Sequence, residues 1–235
     1  MKIAYTATRN FYPLMQPTIR SLLEHNQPDM IYFLIEDDEL PFDVPAPHTI
    51  LNVSGQKIFT GCNVNSYFTY MALMRLALGL LTDADRIIYI DADTVICDNL
   101  EPLYNIDMTG KWWAAVEETF GSWKPYGPHY FNAGVSVFNL KQMREDKIIQ
   151  TMIEDVNSKV YRFPDQDILN KYCVPERVIS IHPRYNESFC CGMTNNPAIV
   201  HFAGYPDWFE NRKIFRQELV EKYKNIPHHR KIERP

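Results

Sequence analysis

The chain alternates short apolar runs with stretches in which apolar residues recur every three or four positions. Lys2–Thr6 reads as a first strand, "MIYFLIED" as a buried strand ending in acid, and "HTILNV" as another, with the proline-rich loop "DDELPFDVPAPH" between the last two. A helix is expected near Pro17–Glu24, opened by a proline whose missing N–H would have no partner in a first turn. Ser66–Leu81 carries Tyr70, Leu73, Met74, Ala77, Leu78 and Leu81 at helical spacing and predicts an amphipathic helix. "RIIYI" is a short apolar strand, "WAAVE" and "GVSVFNL" are later ones, and a helix is expected over about Lys141–Val156. Strands alternating with helices through the first half predict an α/β fold with a mainly parallel sheet covered on both faces. The second half mixes hairpin-like and helical pieces, without internal repeat or low-complexity tract.

Chemistry enters at "DADRIIYIDADTV", where Asp-Ala-Asp occurs on each side of one strand. Two carboxylates one residue apart can hold a hard divalent cation, and the two pairs cannot share one. Asp85 and Asp91 are separated by six extended steps, about 20 Å at 3.3 Å per residue. Ligands of open α/β sheets bind beyond the carboxyl ends of the strands. That selects Asp91 and Asp93, and leaves Asp83 and Asp85 as acids at a helix-to-strand turn. The bland alternative is that Asp91 caps a turn and Asp93 faces water. A calcium loop of the EF-hand type would need Gly and Glu where Ile96 and Pro102 stand. A phosphatase of the haloacid dehalogenase type would have Thr where Val95 stands, and a metal-bound sugar nucleotide is the third explanation.

The 235 residues suit one α/β domain, and 46% hydrophobic with 23% charged residues is ordinary for a globular chain. A net charge of -5 argues against a general nucleic-acid binder. "MKIAYTATRNFYPLMQ" has no uninterrupted apolar stretch of the kind a signal peptide carries, and the most apolar run is broken by Arg75. Five cysteines without metal spacing are expected to be reduced thiols in a cytoplasm. Asn186-Glu187-Ser188 is formally a glycosylation acceptor, of little meaning without secretion. Residues 212–235 form a basic tail in which Ile214, Phe215, Leu219, Val220 and Tyr223 recur at near-helical spacing. Such a helix can lie on an anionic membrane surface. A helix docked on the domain with a solvated basic face is the preferred expectation.

"YFNAGVSVFNL", "PDQDILN" and "IVHFAG" follow the Asp-Ala-Asp motif in order. Together these blocks resemble the retaining glycosyltransferases of family 8, from Met1 to about Trp208. The resemblance implies a single GT-A (Rossmann-like) domain over residues 1–211, a UDP-hexose donor such as UDP-glucose or UDP-galactose, Mn²⁺ (or Mg²⁺), and transfer with retention to a glycan, lipid or protein hydroxyl. It implies Asp91, Asp93 and His201 as metal ligands, a set of two hard oxygens and one imidazole that suits Mn²⁺. Thr6, Ala7, Thr8, Asn10, Arg75, Ala92, Asn132, Ala133 and Gly204 would surround the nucleotide sugar, and Asp165 and Gln166 would take the catalytic places beside the donor sugar. Taken alone, His201 reads as a core histidine, Arg75 as a surface charge, Asn132–Gly134 as a turn into a strand, and Asp165 as a helix cap. Gln166, a neutral amide, is a poor nucleophile, which favours front-side attack with Gln166 as electrostatic support.

Two positions depart from the family pattern: Thr8 replaces an acid or amide that reads uracil, and Asp207 replaces the lysine that grips the diphosphate, for which Arg212 or Lys213 could substitute. Glu117 and Glu118 compete for one acid position, and the loop carrying Trp123, Tyr126, His129 and Tyr130 is the expected acceptor edge. The alternatives to a transferase are a metal-dependent nucleotidyltransferase or hydrolase, and a degenerate member that binds without turnover.

Overall fold

A computed structural model describes residues 1–65, 69–120, 124–204 and 215–223. In chain order the elements are β1 (Lys2–Ala7), α1 (Tyr12–His25), β2 (Met30–Ile35), β3 (His48–Asn52), α2 (Thr69–Leu73), α3 (Leu78–Leu81), β4 (Ile87–Ile90), β5 (Thr94–Ile96), α4 (Glu101–Tyr104), β6 (Trp113–Glu117), β7 (Phe131–Phe138), α5 (Leu140–Glu145), α6 (Ile148–Ser158), α7 (Pro164–Cys173), β8 (Val178–Ser180), β9 (Ile199–His201) and α8 (Gln217–Tyr223). Seven strands form one sheet in the order β3-β2-β1-β4-β7-β6-β8. All run parallel except β7, which is antiparallel to β4 and β6. The mainly parallel α/β sheet expected from the sequence is present. β5 and β9 pair separately, antiparallel, with Thr94 opposite His201.

Alternation along the strands builds two cores. Ile3, Tyr5, Ile88, Ile90, Val135 and Val137 face α1. Ala4, Ile87, Tyr89, Ala133 and Phe138 face the opposite layer, which includes Leu73, Met74, Leu76 and Leu78. Asp91 follows β4 in phase with Ile87 and Tyr89. Because β7 runs backwards through the middle of the sheet, its first residues lie at the edge where β1 and β4 end, and the Asp91 N–H donates to the Gly134 carbonyl at 2.8 Å.

Several elements depart from expectation. α1 begins at Tyr12 with Pro13 in its first turn, and Pro17 sits inside the helix. The expected helix over 66–81, described from Thr69, tightens to three-residue turns over Met74–Ala77, where the Arg75 side chain folds back to the Ala72 carbonyl at 3.0 Å. The expected helix over 141–156 is two helices, parted at Lys147, whose φ of 58° lies in the left-handed region. β7 begins at Phe131, so Asn132, Ala133 and Gly134 belong to a strand rather than to a turn. Proline takes the first position of α7, which puts Asp165 inside the first turn rather than at the cap.

Of the tail, residues 215–223 are described. Val220, Tyr223, Phe215 and Leu219 pack on Leu14, Val95, Val200 and Phe202, while Lys222 pairs with Glu24 and Arg216 with the buried Glu187. Among the described residues no helix is long and apolar enough to cross a membrane.

Candidate active site at the carboxyl edge

The Asp91–Asp93 turn is held by α1. Thr18 Oγ1 lies 2.7 Å from both the Ala92 and Thr94 carbonyls, and the Ile96 N–H donates to Ser21 Oγ. The β5–β9 ladder then carries His201 to the same place, and the Phe202 N–H donates to the Asp93 carbonyl. His201 Nε2 stands 3.3 Å from Asp93 Oδ1 and 3.8 Å from Asp91 Oδ2. One ligand atom from each of the three residues lies within 4.8 Å of the others. Burial alone would raise the Asp93 carboxyl, but the facing His201 holds it below the usual carboxylate range. Burial alone would lower the His201 imidazole, and the two carboxylates raise it instead. The cluster attracts positive charge, and its two oxygens and one imidazole nitrogen fit a hard divalent cation that keeps further positions open.

His201 Nδ1 donates to Asn186 Oδ1 at 2.8 Å, which turns Nε2 toward the carboxylates. The first Asp-Ala-Asp pair lies at the other end of β4, where Asp83 accepts from Tyr32 and Asp85 pairs with Arg144.

Arg75 is 6% exposed and is no surface charge. Its Nη2 donates to Asp91 Oδ1 at 2.9 Å, its Nη1 to the Ala133 carbonyl at 2.8 Å, and its Nε lies 3.0 Å from Asp165 Oδ2. The guanidinium stacks over Tyr89 at 4.4 Å. Burial would lower the Arg75 pKa, and Asp165 and Asp91 more than reverse this. Asp165 stays above the ordinary carboxylate range, because burial outweighs the ion pair. Tyr89 donates to Asp91 Oδ1 at 2.6 Å and takes the Thr6 hydroxyl proton at 2.8 Å.

A third group surrounds Glu118, whose Oε1 accepts from Asn132 Nδ2 at 2.9 Å and from Gln166 Nε2 at 3.0 Å. Gln166 Oε1 accepts the Ala133 N–H at 3.0 Å, so the amide is held at both ends. Glu117 turns away to His129 and Lys124. The structure thus brings together Thr6, Arg75, Asp91, Asp93, Asn132, Ala133, Asp165, Gln166 and His201, with Ala92 buried in the turn. Thr8 follows β1 and the exposed Asn10 lies in the tight helical turn Arg9–Phe11 at the same edge, and Gly204 follows β9 with φ of 81°.

Asp207, Arg212, Lys213 and Trp123 lie outside the described residues. Tyr130 is buried and bonded to Asp167 rather than presented to an acceptor. On the same loop Tyr126 is half-buried and His129 exposed, and Phe120 and Phe189, stacked at 5.9 Å, add further exposed aromatic surface.

Sequence reasoning overlooked Tyr89 and Asn186. Tyr89 had a signal, since it lies two residues before Asp91 on one strand and therefore shares its face. Asn186 had none beyond its formal glycosylation pattern, and it is fully buried.

Gly134 is the point of closest approach. A Cβ there would stand 2.2 Å from His201 Cε1 and 2.8 Å from Asp91 Oδ2, so the space a side chain would need is filled by the protein's own imidazole and carboxylate. Gly134→Ala is expected to displace His201 and to cost about 1–3 kcal/mol in chemical denaturation of the ion-free protein. An unchanged midpoint would show that the imidazole has room to move.

A family model described as Glycosyl transferase family 8 matches residues 2–211. A putative glycosyltransferase of Haemophilus influenzae is 31% identical over 79% of this chain and 63% of its own length. The lipopolysaccharide glucosyltransferase WaaO of Escherichia coli is 24% identical over 88% of this chain and 73% of its own. The chain spans less than two thirds of the Haemophilus relative, and 30% and 58% of the glycosyltransferases GlyD and GlyF of Streptococcus pneumoniae. Among solved structures, the galactosyltransferase LgtC in complex with donor and acceptor sugar analogs superposes with a TM-score of 0.75 at 21% identity, covering 95% of each chain. The bifunctional glycosyltransferase WbbM gives 0.77 at 20% identity, over 97% of this chain and 50% of that one. Those likenesses establish the GT-A fold, and the match along residues 2–211 places this chain in glycosyl transferase family 8.

Proposed function

We propose that this chain is a metal-dependent, retaining hexosyltransferase that takes its sugar from a UDP-hexose, UDP-glucose or UDP-galactose, and delivers it to a glycan hydroxyl. The observation that carries the reading is the meeting of Asp91, Asp93 and His201 within 4.8 Å at the carboxyl edge of the sheet. Mn²⁺ or Mg²⁺ held there would neutralise charge on the departing diphosphate.

The protein's own groups supply the rest. Arg75, fixed by two carboxylates, a carbonyl and the Tyr89 ring, orients Asp91 and Asp165. Asn132 and Gln166 present amides to sugar hydroxyls, and Glu118 fixes both. With its oxygen committed to the Ala133 N–H, Gln166 is an electrostatic support rather than a nucleophile. The acceptor oxygen would then bond to the anomeric carbon on the face that the diphosphate leaves. The breaking C–O bond gives its electron pair to the diphosphate oxygen, which takes the acceptor's proton. The stacked Phe120 and Phe189 offer an apolar face for an acceptor ring. The proposed setting is the cytoplasm.

Melting temperature with UDP, GDP, CDP and ADP, each with and without Mn²⁺, tests the donor. A ligand of the folded state raises it, by about 2.7 kcal/mol in stability at a hundredfold excess over Kd. A rise is expected for UDP with Mn²⁺ alone, and a rise with another base would show that Thr8 has changed the specificity. Asp207, at the family's lysine position, favours a second reading in which the donor binds without turnover. Release of UDP from the UDP-sugar in the absence of acceptor separates the two.

A further inference from the structure

We propose that Asn186 is a positioning residue that ties the ion-binding histidine to the residues around the donor sugar. The inference rests on the proposed divalent-ion site. Asn186 is 0% exposed and lies on the loop before β9, with its own N–H donating to the Pro183 carbonyl. The adjoining residue, Glu187, receives the His201 N–H and gives its own N–H to Ile199, which fixes the spacing between the loop and the strand.

The side chain works in two directions at once. Asn186 Oδ1 accepts the His201 Nδ1 proton at 2.8 Å, which turns Nε2 toward Asp93 and Asp91, where the neutral ring would offer its lone pair to an ion. Asn186 Nδ2 donates to Asn132 Oδ1 at 2.8 Å, and that oxygen also takes the Gly134 N–H at 3.0 Å. Asn132 passes the polarity on, donating from Nδ2 to Glu118, the carboxylate that also receives Gln166. Every donor in the row meets an acceptor, and the row ends on one carboxylate. It runs unbroken from the histidine at the ion site to the amide beside the sugar.

Only a carboxamide satisfies both ends. A carboxylate at position 186 still accepts from His201 but cannot donate to Asn132. Asn132 would then have to turn its amide over, losing both the Gly134 N–H and Glu118. An aliphatic residue loses both ends in a place water does not reach. Outer partners of a ligating histidine fix its tautomer and ring direction, and their loss costs about 10–100-fold in metal affinity. Misplacement of sugar-binding amides acts on turnover instead.

The test uses the full chain, with wild type, Asn186→Ala and Asn186→Asp compared in two measurements. Mn²⁺ affinity in the presence of UDP is read from the electron paramagnetic resonance signal of free Mn²⁺. UDP release from the UDP-hexose that wild type turns over gives kcat and KM. Asn186→Ala is expected to weaken Mn²⁺ binding by about 10–100-fold and to lower kcat as well. Asn186→Asp is expected to keep Mn²⁺ affinity close to wild type while kcat falls roughly tenfold or more with KM little changed. Wild-type Mn²⁺ affinity in the alanine variant, or equal loss of Mn²⁺ affinity in both variants, overturns the relay. If the alanine variant fails to fold, by melting of the ion-free protein, the aspartate variant decides: full turnover, or lost Mn²⁺ binding, overturns the proposal. A wild-type protein that binds no Mn²⁺ overturns the ion site itself, and this inference with it.

Discussion

Asp93→Asn is expected to abolish Mn²⁺-dependent binding of UDP, measured by calorimetric titration with and without the ion. The asparagine has the same shape, but one of the three ligand groups loses its charge, and its amide can turn a hydrogen-bearing nitrogen toward the ion. Asp93 Oδ1 is the oxygen nearest to His201 Nε2, so its loss also frees the imidazole from one of its two anchors. The effect should exceed the roughly 10–100-fold that removal of an outer partner costs. Asp83→Asn is the matched control. Asp83 is an exposed acid at the opposite end of β4, bonded to Tyr32, and its replacement should leave UDP and Mn²⁺ binding intact. Binding retained in Asp93→Asn would remove the ion assignment, and binding lost in Asp83→Asn would mean that the wrong pair was chosen.

Arg75→Met should be the most damaging single change to stability. Methionine fills much of the same space, so the loss is electrostatic rather than a cavity. It strands Asp165, 6% exposed, leaves the Ala133 carbonyl with Ser136 Oγ as its side-chain donor, and removes a partner from Asp91. Breaking a buried pair by removing one member costs about 3–5 kcal/mol. The loss should depend on pH. Asp165 already sits above the ordinary carboxylate range because of burial, and without Arg75 it moves further up. A carboxyl whose folded pKa is raised opposes folding as pH climbs from the unfolded value through the folded one. The penalty is therefore smallest in acid, where Asp165 is neutral in both states, and grows toward neutral pH. Denaturant titrations of wild type and variant across that range read it directly; a constant penalty would show that Asp165 does not carry the effect.

What the sequence revealed tracks how local each determinant is. β2 and β4 are apolar runs that announce themselves, and the position of Asp91 and Asp93 at the end of β4 follows from strand direction alone. The break between α5 and α6 did not show, because the pattern on either side is helical and the break rests on one left-handed residue, Lys147. Three-residue strands such as β5, β8 and β9 are too short to carry a period. The choice between Glu117 and Glu118 was closed to pattern reasoning, since β6 shifts register between Ala115 and Glu117 and so loses the alternation that would assign a face. His201 and Asn186 owe their places to β9 pairing with β5 and to the Asn186 side chain, contacts between distant parts of the chain.

The separate β5–β9 ribbon has a consequence for the order in which the molecule is made. All seven strands of the main sheet lie within residues 2–180, whereas His201 arrives on the last strand. A nascent chain therefore exposes Asp91 and Asp93 about a hundred residues before their histidine is synthesised. Until then the carboxylates have Arg75 as their nearby positive group, and Arg75 belongs to the part already made. Arg75 is thus the internal counter-charge of Asp91, and the proposed ion can meet all three of its ligands only once His201 has been made.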